Sequence, residues 1–268
     1  MNYSTVRIPE QETVLTLRTG KRIYFLSDVH LGSAVLENNR ERELQLVRWM
    51  DTIRPDCDRL FLLGDIFDFW FEYKRAVPKG HVRFLAKICE FTDSGIPVHF
   101  FTGNHDIWVF DYLPQECGVV LHTGNTVFRI DGKRFLIGHG DALNPADKGY
   151  MFLYRIFHNS FLQRCFRLIH PDIGIALAHR WSSHSRLGNG KIEADTFQGE
   201  EGEEIVRFCK QTSLMHHFDF FIFAHRHLPI DLPLSSGSRY INTGDWITHY
   251  SYAVFDGETV QLRTVLKN

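Results

Sequence analysis

Arg22-Ile23-Tyr24-Phe25-Leu26-Ser27-Asp28-Val29-His30-Leu31-Gly32 is the stretch from which the fold can be read. Ile23 to Leu26 are apolar without a break, the pattern of a strand covered on both faces, and the run stops at a serine followed by polar groups. Strand side chains alternate in direction, so Asp28 and His30 are predicted to point the same way. The same pattern recurs further along. Arg59 to Leu63 runs into Gly64-Asp65-Ile66-Phe67-Asp68, and Pro97 to Thr102 into Gly103-Asn104-His105-Asp106. Arg134 to Ile137 runs into Gly138-His139-Gly140-Asp141, and Phe220 to Ala224 into His225-Arg226-His227. Tyr240 to Asn242 is one more short apolar run.

Between the early runs lie amphipathic stretches, Glu41 to Arg54 and Val82 to Ser94, closed by Pro55 and Gly95 and long enough for helices. Strand and helix therefore alternate, as in an α/β fold. Later the pattern changes. Asp131-Gly132 joins Thr126–Ile130 to Lys133–Ile137, and Asp256-Gly257 joins Ser251–Phe255 to Val260–Val265, both reading as hairpins. The predicted fold class is α/β, a four-layer α-β-β-α sandwich of two mixed sheets flanked by helices, in a single domain over residues 1–268.

In open α/β sheets a ligand sits beyond the carboxyl ends of the strands, so five strand ends would bring their donors to one crevice. Singly, each fragment also has a structural explanation, because Asp and Asn cap helices and Gly serves tight turns. Together, seven oxygen and nitrogen donors without sulfur suit first-row divalent ions such as Mn, Fe or Zn, and seven are too many for one ion.

The composition agrees with this reading. A chain of 268 residues with 44% apolar and 23% charged residues can bury a large core, which excludes disordered, collagen-like and small disulfide-scaffold classes. Its 15 histidines are about twice an average share and suggest metal or proton chemistry. Cys57, Cys89, Cys117, Cys165 and Cys209 are scattered, with no Cys-x-x-Cys pair, which points to a reducing compartment. Met1 to Thr19 lacks the basic start and apolar run of a signal peptide, and no window approaches 18 consecutive apolar residues. The net charge of −2 excludes a general polyanion binder, so no nucleic-acid partner is expected, and no obligate protein partner is evident.

That average hides one segment. From Lys148 to Lys191, Lys148, Arg155, Arg164, Arg167, Arg180, Arg186 and Lys191 face a single acid, Asp172, for a local net of +6 against −8 in the remainder. The segment also holds Tyr150, Phe152, Tyr154, Phe157, Phe161, Phe166 and Trp181. It reads as a greasy, basic helical insertion, a lid over residues 148–195. Such a surface favours a phosphorylated or nucleotide-linked lipid, while the alternative is that Phe152, Phe157, Phe161 and Phe166 only pack the insertion onto the body.

The order Asp-x-His, Gly-Asp, Gly-Asn-His-Asp, Gly-His and Ala-His-x-His resembles that of the calcineurin-like metallophosphoesterases, from about Ile23 to Trp246. The resemblance implies that Asp28, His30, Asp65 and His227 hold one ion and that Asp65, Asn104, His139 and His225 hold the other. It also implies that His105 acts on the phosphoryl group, with Asp106 fixing its tautomer. Gly64-Asp65-Ile66-Phe67-Asp68-Phe69-Trp70, His139-Gly140-Asp141-Ala142-Leu143 and Thr243-Gly244-Asp245-Trp246 further resemble the branch of UDP-2,3-diacylglucosamine hydrolases of lipid A synthesis.

That branch implies cleavage of a UDP-linked diacylated glucosamine lipid to UMP and the acylated sugar 1-phosphate. Two divalent ions would serve it, manganese first, with Fe, Zn, Mg or Co as alternatives. Substrate contacts would come from Asn104, His105, Asp147, Tyr150, Arg180 and Ser183. The enzyme would be cytoplasmic, touching the inner face of the membrane through its lid. One departure is His105, where the best-known members carry Arg, and only His readily gives up a proton. The alternatives are a metallophosphoesterase for another nucleotide diphosphate or phosphodiester, and a metal-free scaffold for protein binding.

Overall fold

The computed structural model describes residues 8–188 and 196–265, with only the backbone described at 179 and 181–188. Two six-stranded sheets form its centre. In the first, β2 (Arg22–Leu26), β3 (Cys57–Leu62), β4 (Val98–Phe101) and β5 (Val120–His122) run parallel. On the other side of β2, the hairpin of β11 (Ser251–Phe255) and β12 (Val260–Thr264) adds antiparallel, for an order β12-β11-β2-β3-β4-β5. The crossovers are α1 (Asn39–Ile53), α2 (Val82–Asp93) and α3 (Tyr112–Cys117).

The second sheet has the order β1-β6-β7-β8-β10-β9. Its strands are β1 (Glu12–Leu15), β6 (Thr126–Ile130), β7 (Lys133–Ile137), β8 (Phe220–Phe223), β9 (Pro229–Pro233) and β10 (Arg239–Thr243), with α7 (Glu204–Ser213) on its outer face. The helices α4 (Lys148–Phe157), α5 (Ser160–Phe166) and α6 (Pro171–Gly188) come between β7 and α7.

Alternation of side chains makes the four layers. In β2, Ile23 and Phe25 face the other sheet, while Tyr24 and Leu26 face α1 and α2. In β8, Phe220 and Ile222 join the same inter-sheet core, while Phe221 and Phe223 pack under α7. The helices present matching stripes: Phe84, Ile88 and Phe91 of α2 recur at helical spacing and are fully buried.

Both hairpins form, by different turns. Asp131 and Gly132 take φ of 46° and 82°, the tight two-residue turn that Asp-Gly favours. At Asp256-Gly257 the loop is longer, four residues in which the Asp256 carboxylate accepts from the Glu258 and Thr259 amides. Residues 12–15, which carry little periodic signal, form an edge strand parallel to β6. There Glu12 sits between Arg129 (2.9 Å) and Arg134 (2.7 Å).

Candidate metal centre

The five strand ends lie at one end of the sandwich, and their donors converge. The chain turns sharply there: Asp28, His30, Asp65, His225 and His227 all take φ between 50° and 68°. Such left-handed backbone is unfavourable for residues with a Cβ and persists only where the surroundings enforce it. Gly64 and Gly103 allow the close approach. A Cβ on Gly103 would lie 2.3 Å from Asp65 Oδ1, and one on Gly64 would lie 2.6 Å from the Gly103 nitrogen.

Asp28, His30, Asp65 and His227 form one group of donors, and Asp65, His139 and His225 a second, with Asp65 common to both. Asp65 Oδ2 stands 3.7 Å from His30 Nε2 and 3.5 Å from His139 Nε2, while its Oδ1 accepts from the His105 amide at 2.8 Å. Asn104 Oδ1 completes the second group, 3.2 Å from His139 Nε2. Asp28 Oδ2 is held by the Ser27 hydroxyl and the His225 amide, which leaves Oδ1 turned to His227 Nε2 at 3.2 Å.

Electrostatics and hydrogen bonding indicate what this arrangement can hold. Asp28 Oδ1 is buried and accepts no hydrogen bond. His30 Nε2 faces His227 Nε2 at 3.3 Å, and His225 Nδ1 faces His139 Nε2 at 3.2 Å. His139 Nδ1 donates to the Leu63 carbonyl at 2.8 Å, so in the neutral ring Nε2 carries a lone pair. Burial, followed by the nearby His139, lowers His225 to about 3 and keeps it a neutral donor. Burial raises Asp28 against the pull of His227 and His139. Burial would also raise Asp65, but the imidazoles of His139, His105 and His30 hold it well below the usual carboxylate range. Converging lone pairs, a shared carboxylate and an orphaned carboxylate oxygen fit two divalent cations.

Residues 21–229 match the calcineurin-like phosphoesterase family. The chain belongs to that family. Calcineurin-like phosphoesterases use a dinuclear metal centre, and the shared Asp65 lies between the two donor groups. The chain is 38% identical to a UDP-2,3-diacylglucosamine hydrolase of Porphyromonas gingivalis, over 91% of this chain and 97% of that protein. Proteins of the same name from Proteus mirabilis and Haemophilus influenzae are 27% and 26% identical. The first match covers 76% of this chain and 81% of that protein, the second 86% and 93%.

Around the donors of this phosphoesterase the structure corrects one role. Asp106 does not face the His105 ring. Its carboxylate accepts from the amides of Gly103 (2.7 Å), Asp65 (3.2 Å), Ile66 (2.9 Å) and Phe67 (3.3 Å), tying the β3 and β4 loops together. Burial and the charge of Asp65 nonetheless push Asp106 up to about 7.

The group that meets His105 is Asp68, whose carbonyl accepts from His105 Nδ1 at 3.0 Å and whose carboxylate lies 3.4 Å from His30 Nδ1. Asp245 stands behind His227 in the same way, 3.7 Å from its Nδ1, while accepting from the amides of Ile247, Thr248 and His249. The sequence motifs contain Asp68 and Asp245, but nothing local distinguishes an orienting carboxylate from a helix cap.

The helices α4 to α6 are anchored beside this centre. Trp108 donates to the Phe157 carbonyl at 2.8 Å, and Phe166 packs on Phe71 (4.7 Å) and Trp108 (5.1 Å). Tyr150 donates to Asp141 at 3.1 Å, joining α4 to the loop after β7. Asp147 caps α4 by accepting from the Tyr150 amide, and Arg180 is exposed on α6. Phe157 and Phe166 therefore pack onto the body, whereas Phe152 (63%), Phe161 (67%) and Leu168 (87%) are exposed. The side chains of Ser183, Trp181 and Arg186, together with Lys191 and the rest of 189–195, lie outside the described residues. No described helix is long and apolar enough to cross a membrane.

Proposed function

We propose that this phosphoesterase hydrolyses the pyrophosphate of UDP-2,3-diacylglucosamine to UMP and 2,3-diacylglucosamine 1-phosphate. The observation that carries the reading is the similarity to relatives of that name along nearly the whole chain, including the helices α4 to α6 that form a cap beside the centre. The convergent donors supply the chemistry. Asp28, His30, Asp65 and His227 hold one cation, and Asp65, Asn104, His139 and His225 the other, with Mn²⁺ as the first choice and Fe, Zn, Mg or Co as alternatives. When bound, two such cations would supply Lewis acidity to a phosphoryl oxygen and lower the pKa of a water.

The chain's own residues do the rest. Asp65 offsets the repulsion of two cations, and Asn104 donates without adding charge. His105 lies over the phosphoryl group as a charge stabiliser or proton donor, its Nδ1 hydrogen held by the Asp68 carbonyl. Asp106 acts as a positioning residue, because its carboxylate shapes the loop that carries Asp65. Asn104, His105, Asp147, Tyr150, Arg180 and Ser183 contact the substrate. The exposed rings of the cap, beside its basic residues, suit contact with the inner membrane surface of the cytoplasm, from which the acyl chains are drawn.

The test is an assay of the purified, Mn²⁺-loaded protein on UDP-2,3-diacylglucosamine and on simple nucleotides. Release of UMP from the lipid is the expected result. An intact lipid beside rapid hydrolysis of a soluble nucleotide would contradict the substrate.

A further inference from the structure

Next to the donors of the second group, a cavity of about 140 Å³ opens between α4 and the loop that joins β5 to β6. Drug-sized ligands occupy roughly 300–1,000 Å³, so this space suits one ring of a substrate and not the whole. Its wall includes His139 and Gly103, which places it against the metal centre. Three polar side chains in the wall, Thr102, Thr123 and Asn125, make no side-chain hydrogen bond among the described residues. The remaining wall is mixed: Ile107, Ala142 and Leu143 are apolar, Asp141 contributes a carboxylate, and the Tyr154 ring is stacked on His158 at 3.8 Å.

Asn125 is the informative residue. A Cβ at position 138 would lie 2.0 Å from Asn125 Oδ1, so Gly138 makes the room in which this amide sits. An amide offers a donor and an acceptor side by side, the complement of the imide edge of a pyrimidine, where an N–H stands beside a carbonyl. The aromatic and aliphatic part of the wall, Ile107, Leu143 and the Tyr154 ring, suits the face of the same ring. The acyl chains have no use for unpaired polar groups, and the exposed apolar surface of the cap is available to them.

We propose that this cavity binds the pyrimidine base of the nucleotide half of the substrate, with Asn125 reading its imide edge and Thr123 and Thr102 supplying further hydrogen bonds. The proposal rests on the reaction given under Proposed function and assigns a place to the uracil.

Calorimetry on the Mn²⁺-loaded protein tests it, with UMP, ribose 5-phosphate and glucosamine 1-phosphate as probes. UMP is expected to bind more tightly than ribose 5-phosphate. Asn125→Ala should weaken UMP by about tenfold, the scale of one lost hydrogen bond, and leave ribose 5-phosphate and metal content unchanged. Thr123→Val should act in the same direction. Unchanged preference for UMP in both variants would overturn the proposal, as would a loss confined to glucosamine 1-phosphate. Hydrolysis of UDP-2,3-diacylglucosamine by the unaltered protein is measured in parallel. No hydrolysis together with intact, Asn125-dependent UMP binding would sink the lipid reaction and support the base site.

Discussion

Five of the ten described non-glycine residues with positive φ are metal-donor candidates, so backbone strain is concentrated where the chemistry is. Each such turn costs on the order of 1–3 kcal/mol, which the packed strands beneath must offset. Asp65 carries the most. Asp65→Ala is expected to abolish both hydrolysis and metal binding while circular dichroism stays native, and near-normal turnover would contradict a shared carboxylate. His105 and Asp106 should separate cleanly despite being neighbours. His105→Ala should lower kcat by about 10²-fold or more with little change in stability. Asp106→Ala strands four backbone amides and should destabilise the fold by about 2 kcal/mol or more in urea melts. The donors were legible in the sequence because each pair sits at the end of an apolar run. The work of Asp106 was not, because the amides of Asp65, Ile66 and Phe67 lie some 40 residues away in the chain.

Among the elements, the central strands and the β6–β7 hairpin read directly, since unbroken apolar runs and Asp-Gly each have one favoured outcome. The edge strand β1 did not, because its alternating exposure leaves little hydrophobic signal and its place is set by pairing with β6. The cap divides its aromatic residues between two tasks, anchoring through Phe157 and Phe166 and exposure through Phe152 and Phe161. Phe161→Asp is therefore expected to weaken partition onto anionic lipid vesicles by about tenfold without lowering the melting temperature. Arg180→Ala should raise KM for the lipid substrate by about tenfold with metal content unchanged. Loss of metal would instead mean that Arg180 supports the fold.

At the scale of the whole molecule, stability should depend on pH through a histidine pair, His99 and His122, that supplies no metal donor. Burial, His122 and Arg59 lower His99 to about 3, and burial lowers His122 to about 4. Both stack on phenylalanines between the sheets, His99 on Phe61 and His122 on Phe101. The unfolded chain takes up these protons below about pH 6.5 and the folded chain does not, so stability falls as pH drops from 6.5 toward 4. His99 alone should account for about 2 kcal/mol between pH 7 and pH 5. His99→Phe should flatten that part of the curve in chemical denaturation, and an unchanged slope would assign the pH dependence elsewhere.

The net charge of −2, which suggests indifference to charged partners, splits into +6 between Lys148 and Lys191 and −8 in the remainder. That division matches a donor centre for cations in the body and suits the proposed anionic lipid at a basic cap with exposed Phe152 and Phe161. Metal analysis of the purified protein, coupled to identification of the product from UDP-2,3-diacylglucosamine, examines both halves together. Two divalent ions per chain and release of UMP are expected. One ion or none, or release of UDP, would contradict the two-metal cleavage of the pyrophosphate.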